Sequence, residues 1–244
     1  MRWIHSYGAP ETVYNLCYRW VRFFELSSVV LLSIGIIGGL FLAPMDYQQQ
    51  DAFRIIYIHV PAALGSMALF SALAIMSFIY LVWRIKVAAW LAQAIAPVGA
   101  LYTALALITG AIWGKPMWGA WWVWDARLTS ELILLFLYFG YMGLYSSFAN
   151  KTKGSKAAAI FAIIAWIDIP IIHYSVKWWQ TLHQGSTLIK LKPSMSVSML
   201  WPLIFMMLGF ALYSVCIIMH RVKIEILHTQ THTSWLKKRL RASL

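Results

Sequence analysis

Polar residues break this chain at only a few places, and long apolar stretches lie between them. Six stand out, at about 26–43, 55–83, 87–112, 132–149, 157–174 and 197–220. Five carry no Asp, Glu, Lys or Arg, and the fifth in order carries one acid, Asp168. Their lengths suit the roughly 20 residues that a helix needs to cross a hydrocarbon core of about 30 Å. In lipid only helices and closed barrels satisfy their backbone polar groups, and these stretches are too long and too uniformly apolar for barrel strands. The pattern therefore predicts an all-α polytopic membrane protein with six transmembrane helices, forming a single integral-membrane domain over 1–244. A polar, basic lead (1–25) precedes the six-helix bundle (26–220), and a basic tail (221–244), helical in part, follows it. Pro61 and Pro97 fall inside predicted spans and are expected to bend them.

Composition agrees: 61% of the 244 residues are hydrophobic and 11% charged. The net charge of +12 suits nucleic acid only until its placement is read. Lys and Arg gather in short connections, 14 of the 20 on the side that holds both termini and six on the other. The positive-inside rule then puts both termini in the cytoplasm and leaves the 44–54, tryptophan-rich and 175–196 loops outside. In a bacterium that side is the periplasm, and the membrane is the inner one. Nucleic acid is not an expected partner, whereas lipid headgroups suit the basic tail. Cys17 and Cys216 form no CxxC or CxxCH and both fall near the predicted cytoplasmic face, so neither a disulfide nor covalently held haem is expected. The first span has no evident small-residue cleavage site and reads as retained rather than as a signal peptide.

The outer loops hold the unusual chemistry. Trp113, Trp118, Trp121, Trp122 and Trp124 fall within twelve residues, between the third and fourth spans, with Asp125 and Arg127 directly behind. Trp178, Trp179 and His183 lie in the 175–196 loop, and His59 sits at the outer mouth of the second span. Tryptophans commonly form belts at membrane interfaces, but a belt is spread over many helix ends. A dense run of indoles offers a flat apolar wall, and two neutral imidazoles can hold haem iron from both faces. Arg127 suits a propionate, and Asp125 suits holding Arg127 in place. No thiolate lies outside to build a zinc or iron–sulfur site. Elsewhere, His173 at the outer end of the fifth span reads as structural, with ligation as the alternative. Asp168 is an ionisable group within a span, suited either to function or to supporting a helix break before Pro170. Glu131 opens the fourth span, where an acid suits a helix N-terminus. His220, His228 and His232 fall on the cytoplasmic side.

The run WGAWWVWDARLT, with HVPAA before it and TLHQGS after it, resembles the tryptophan-rich WWD signature of haem-handling membrane proteins. With six spans and two flanking histidine segments, the chain resembles the CcmC family of bacterial cytochrome c maturation, closely over about 44–200. That resemblance implies non-covalent haem b at the periplasmic face, with His59 and His183 as axial ligands. It places the aromatic platform on Trp113 to Trp124, with Asp125 and Arg127. It also implies transfer of haem to a CcmE-like periplasmic chaperone, a small single-span CcmD-like protein, and a CcmA/CcmB-like ABC transporter. Catalysis by this chain alone is left open, since no catalytic triad or nucleotide site is present. Three alternatives remain at this point: an electron-transfer cytochrome b, a permease moving haem across the bilayer, and a cytochrome c synthase subunit of the same WWD kind.

Overall fold

The structure is a computed structural model, and it describes residues 8–179 and 195–241. The described residues are helical with short connections. Helix α1 is Pro10–Ile37, continued by a π-helical turn at Gly38–Leu42. A 3₁₀ turn at Asp51–Ile55 leads into α2, Ile56–Trp83. Helices α3 (Lys86–Trp118) and α4 (Ala126–Ser146) follow. Next come α5 (Lys151–Ala165), α6 (Asp168–Trp178), α7 (Val197–Thr229) and the short α8 (Ser234–Arg241).

Six helical segments are long and apolar enough to cross a membrane, with α5 and α6 together making one of them. This is a multi-pass membrane protein. Four of the six run 33 residues, which at about 1.5 Å per residue is about 50 Å, well beyond the hydrocarbon thickness. The apolar windows in the sequence mark the buried-in-lipid part of each helix. The helices themselves continue into polar residues, because backbone hydrogen bonding has no reason to stop at the headgroups. Thus the lead is no separate tether: α1 starts at Pro10, with a proline in its first turn, where no intrahelical donor is lost. Large apolar side chains such as Leu26, Val29, Ile75, Phe78, Ile164 and Leu208 are exposed on the bundle surface, as contact with lipid tails requires.

Where helices meet each other, small residues bring the backbones close. A Cβ on Gly35 of α1 would lie 2.7 Å from the Met206 side chain of α7, and one on Gly209 would lie 2.8 Å from Leu32. In the centre, the Tyr138 ring of α4 lies over Gly99 of α3 where any Cβ would collide with it. The Tyr138 hydroxyl donates to the Ser66 carbonyl (2.7 Å), and its ring meets Phe70 edge-on at 4.9 Å. Tyr102 donates to the Phe210 carbonyl (3.0 Å), tying α3 to α7.

The fifth span is interrupted at Trp166–Ile167, and Asp168 begins α6 with Pro170 in its first turn, so a break near these residues is borne out. The Trp166 indole crosses to α2 and donates to Ser71 Oγ at 3.1 Å. Pro61 and Pro97 sit inside α2 and α3, as do Pro116 in α3 and Pro202 in α7. Both cysteines are buried and unbridged. Helix α8 folds back on α1: Trp235 meets Tyr14 at 5.8 Å, and Arg239 lies 5.0 Å over the Tyr18 ring.

Candidate functional site

Six crossings place the end of the first span, both ends of the α3–α4 connection, and the starts of α2 and α7 at one end of the bundle. His59 stands there, one turn into α2 and half-buried against α3. Its Nδ1 lies 3.0 Å from the Ala106 carbonyl oxygen and 3.1 Å from Thr109 Oγ1. A carbonyl can only accept, so Nδ1 carries the proton. The Thr109 hydroxyl donates to the Leu105 carbonyl at 2.6 Å, which leaves its lone pairs to accept from the ring. In the neutral imidazole the metal-binding lone pair is then on Nε2.

Trp113 stands against this ring, edge-on with centroids 5.6 Å apart. The indole is fixed from a third direction, its Nε1 donating to Gln49 Oε1 at 2.9 Å. The loop that carries Gln49 is itself an Asx-turn: Asp46 Oδ1 accepts from the backbone N–H groups of Gln48 (2.9 Å) and Gln49 (2.8 Å). Arg54 braces its other end, donating to Asp51 Oδ1 (2.9 Å) and to the Gly39 carbonyl in the π turn (2.9 Å). So the DYQQQ segment, which looked like a plain polar connection, positions the first tryptophan of the aromatic run.

Trp113 and Trp118 are not in a loop, contrary to the expectation for the whole run. Helix α3 carries both and ends at Trp118, with Gly119 (φ +77°) as its left-handed cap. Gly114, Pro116 and Gly119 looked like breakers, but Pro116 costs the helix only one bond near its end. Gly114 has another use: a Cβ there would lie 3.2 Å from the Ala120 carbonyl oxygen and 3.2 Å from the Trp118 ring. Its bare backbone lets the chain fold back over the helix end. Lys115 Nζ donates to the Gly119 carbonyl at 3.0 Å and closes the same turn.

The connection proper runs from Gly119 to Asp125. Trp122 and Trp124 meet edge-on at 5.3 Å, while Trp121 and Trp124 are exposed. Asp125 caps α4, its Oδ1 accepting the Leu128 N–H at 2.8 Å. It is buried, and Arg127 is half-buried on the first turn behind it. Glu131 is not at the helix terminus, as expected from the sequence, but inside α4, buried, accepting from Ser66 Oγ at 2.8 Å. The N-terminal acid is Asp125. On α6, Tyr174 and Trp178 stack at 5.3 Å and Trp179 follows edge-on at 5.9 Å. His173 is exposed on the same helix, edge-on to Tyr174 at 4.8 Å, beside an apolar groove of about 410 Å³ lined also by Trp166 and Leu64. His183 lies outside the described residues.

Two observations bear on whether a haem fits. His59 has its Nδ1 proton engaged and its Nε2 lone pair available in the tautomer a metal requires. The buried Trp122 Nε1 has no hydrogen-bond partner among the described residues, so the indole wall holds a donor suited to a carboxylate. Among the described residues no group of three or more His, Cys, Asp and Glu could hold a metal ion, which separates this end from a protein-only metal site.

The sequence pattern of the family described as heme exporter protein C, CcmC, matches residues 3–237. The chain belongs to that family. A heme exporter protein C from Haemophilus influenzae is 49% identical over 237 residues, 97% of this chain and 96% of the relative. One from Escherichia coli K12 is 45% identical over 235 residues, 96% of this chain and 95% of the relative. A putative cytochrome c biosynthesis ccmC-like mitochondrial protein from Marchantia polymorpha is 43% identical over 180 residues, covering 74% of this chain and 76% of the relative. Membership of the CcmC family extends through both termini, beyond the segment whose motifs carried the resemblance. Sequence reasoning missed Gln49, Thr109 and Ala106. For the last two a signal existed, because Ala106, Thr109 and Trp113 recur at helical spacing on one face of α3.

Proposed function

We propose that this chain holds haem b non-covalently at the periplasmic face of the bacterial inner membrane and presents it to a CcmE-like chaperone during cytochrome c maturation. It does so beside a CcmD-like single-span protein and a CcmA/CcmB-like ABC transporter. The observation that carries the reading is His59: a half-buried imidazole with Nδ1 hydrogen-bonded to α3 and one edge against Trp113, at the end of the bundle where five tryptophans gather. His59 Nε2 and His183 serve as axial ligands. Trp113, Trp118, Trp121, Trp122 and Trp124 supply the apolar wall. The Trp122 N–H and Arg127 serve the propionates, while Asp125 holds the first turn of α4 so that Arg127 stays in place. Haem brings the reactive vinyl edge, and the protein brings position.

Two features support presentation rather than electron transfer or transport. The histidine stands at a helix end beside exposed indoles rather than deep between facing spans. Among the described residues, the acids within the bundle, Glu131 and Asp168, do not line up into a polar path from face to face. The test is transfer in reconstituted vesicles: haem-loaded protein, ATP, the transporter and a CcmE-like acceptor, followed by covalent haem on the acceptor. His59→Ala and His183→Ala are expected to lose most of the transfer. Full transfer by both variants would end the ligand assignment.

A further inference from the structure

We propose that Thr109, together with the Ala106 carbonyl, is a positioning residue that fixes His59 as its Nδ1–H tautomer and makes Nε2 the ligating atom. This deepens the reading above and rests on it. Four consecutive positions on one face of α3 converge on the ring. The Ala106 carbonyl and Thr109 hydroxyl lie 3.0 and 3.1 Å from Nδ1, Gly110 faces the Cε1 edge, and Trp113 meets the ring at 5.6 Å between centroids.

The Thr109 hydroxyl is itself held. It donates to Leu105 O at 2.6 Å, which makes it an acceptor toward the ring rather than a free rotor. Gly110 completes the cradle, because a Cβ there would lie 3.1 Å from His59 Cε1 and 3.6 Å from Nδ1. The ring has no room to turn over on that side without moving α3. Turning it over would set a bare lone pair against the Ala106 carbonyl, so the flipped tautomer loses its bond and gains a repulsion. An Nδ1–H that donates to two acceptors makes Nε2 a stronger donor, and stronger donation favours ferric over ferrous iron.

The test uses the full chain in detergent micelles. In haem-free protein, nitrogen-15 spectra of labelled histidine, with His59→Ala to assign the signal, should show Nδ1–H. In loaded protein, Thr109→Val keeps the volume and removes the acceptor. It should lower retention of ferric haem by about tenfold, at the low end of the range for such outer partners because the Ala106 carbonyl remains. If that loss falls on the ferric form alone, the midpoint potential rises by about 59 mV. Thr109→Ser, which keeps the hydroxyl, should restore both values. Gly110→Ala should weaken ligation by displacing the ring.

An Nε2–H signal in the haem-free wild type would overturn the proposal. So would a Thr109→Val protein with unchanged potential and retention, and in that case His59-dependent haem would leave the function itself standing. Haem that is indifferent to His59→Ala would remove the ligand reading and this inference with it.

Discussion

Replacing Gln49 by Leu removes one acceptor while keeping most of the volume, and it isolates how the aromatic wall is held. In the structure Gln49 Oε1 accepts the Trp113 indole N–H at 2.9 Å, and Trp113 stands edge-on to His59 at 5.6 Å. Losing a neutral hydrogen bond at a half-buried site costs about 0.5–1.5 kcal/mol. If Trp113 then leaves its place, the ring contact with His59 is lost as well, about 0.5–1.5 kcal/mol more. Haem retention should therefore fall by about 3- to 30-fold, each 1.4 kcal/mol being a factor of about 10. The absorption bands should keep their positions, since both iron ligands remain. A double-mutant cycle sharpens the expectation. Trp113→Phe has no indole N–H, so Gln49→Leu in that background should change retention by less than about twofold. Haem retention by dilution into apomyoglobin measures all four proteins. Additive effects of the two substitutions would refute the coupling, and a loss as large as that of His59→Ala would show that Gln49 acts through something other than Trp113.

Two further outcomes follow from contacts elsewhere in the bundle. Asp125→Ala removes the α4 cap and should cost about 1 kcal/mol, read as a lower unfolding midpoint in detergent, while Asp125→Asn keeps an acceptor for the Leu128 N–H and should stay within about 0.5 kcal/mol of wild type. Gly99→Val places methyl groups where the Tyr138 ring lies, and should destabilise the fold by about 1–3 kcal/mol without changing the haem bands of the protein that remains folded. An unchanged melt for Gly99→Val would mean that α3 and α4 do not pack as described.

What the sequence made legible follows from what a sequence encodes directly. The six spans were readable because crossing lipid demands uninterrupted apolar length, a one-dimensional property. Their ends were not, because the helices run on into polar residues: α4 takes in Arg127 and Glu131, and α5 starts at Lys151, capped by Asn150. That misplacement turned Glu131 into a terminal acid, when its real partner, Ser66, lies 65 positions away on α2. Trp113 and Trp118 were assigned to a loop because Gly114, Pro116 and Gly119 resemble breakers locally. In the fold only Gly119 breaks the helix, while Gly114 makes room for the returning chain. The importance of His59 could be read from its place beside the tryptophan run. What fixes it could not: Gln49 reaches the site through an Asx-turn in one loop, and Thr109 reaches it from a different helix.

The most direct test of the account is the absorption spectrum of the purified full chain, oxidised and dithionite-reduced, for wild type, His59→Ala and His183→Ala. The account predicts a low-spin bis-imidazole haem b spectrum in the wild type, and loss of haem or a change of spin state in each variant. Wild-type protein that comes haem-free from haem-replete cells, or haem whose bands are unmoved by both substitutions, would contradict it.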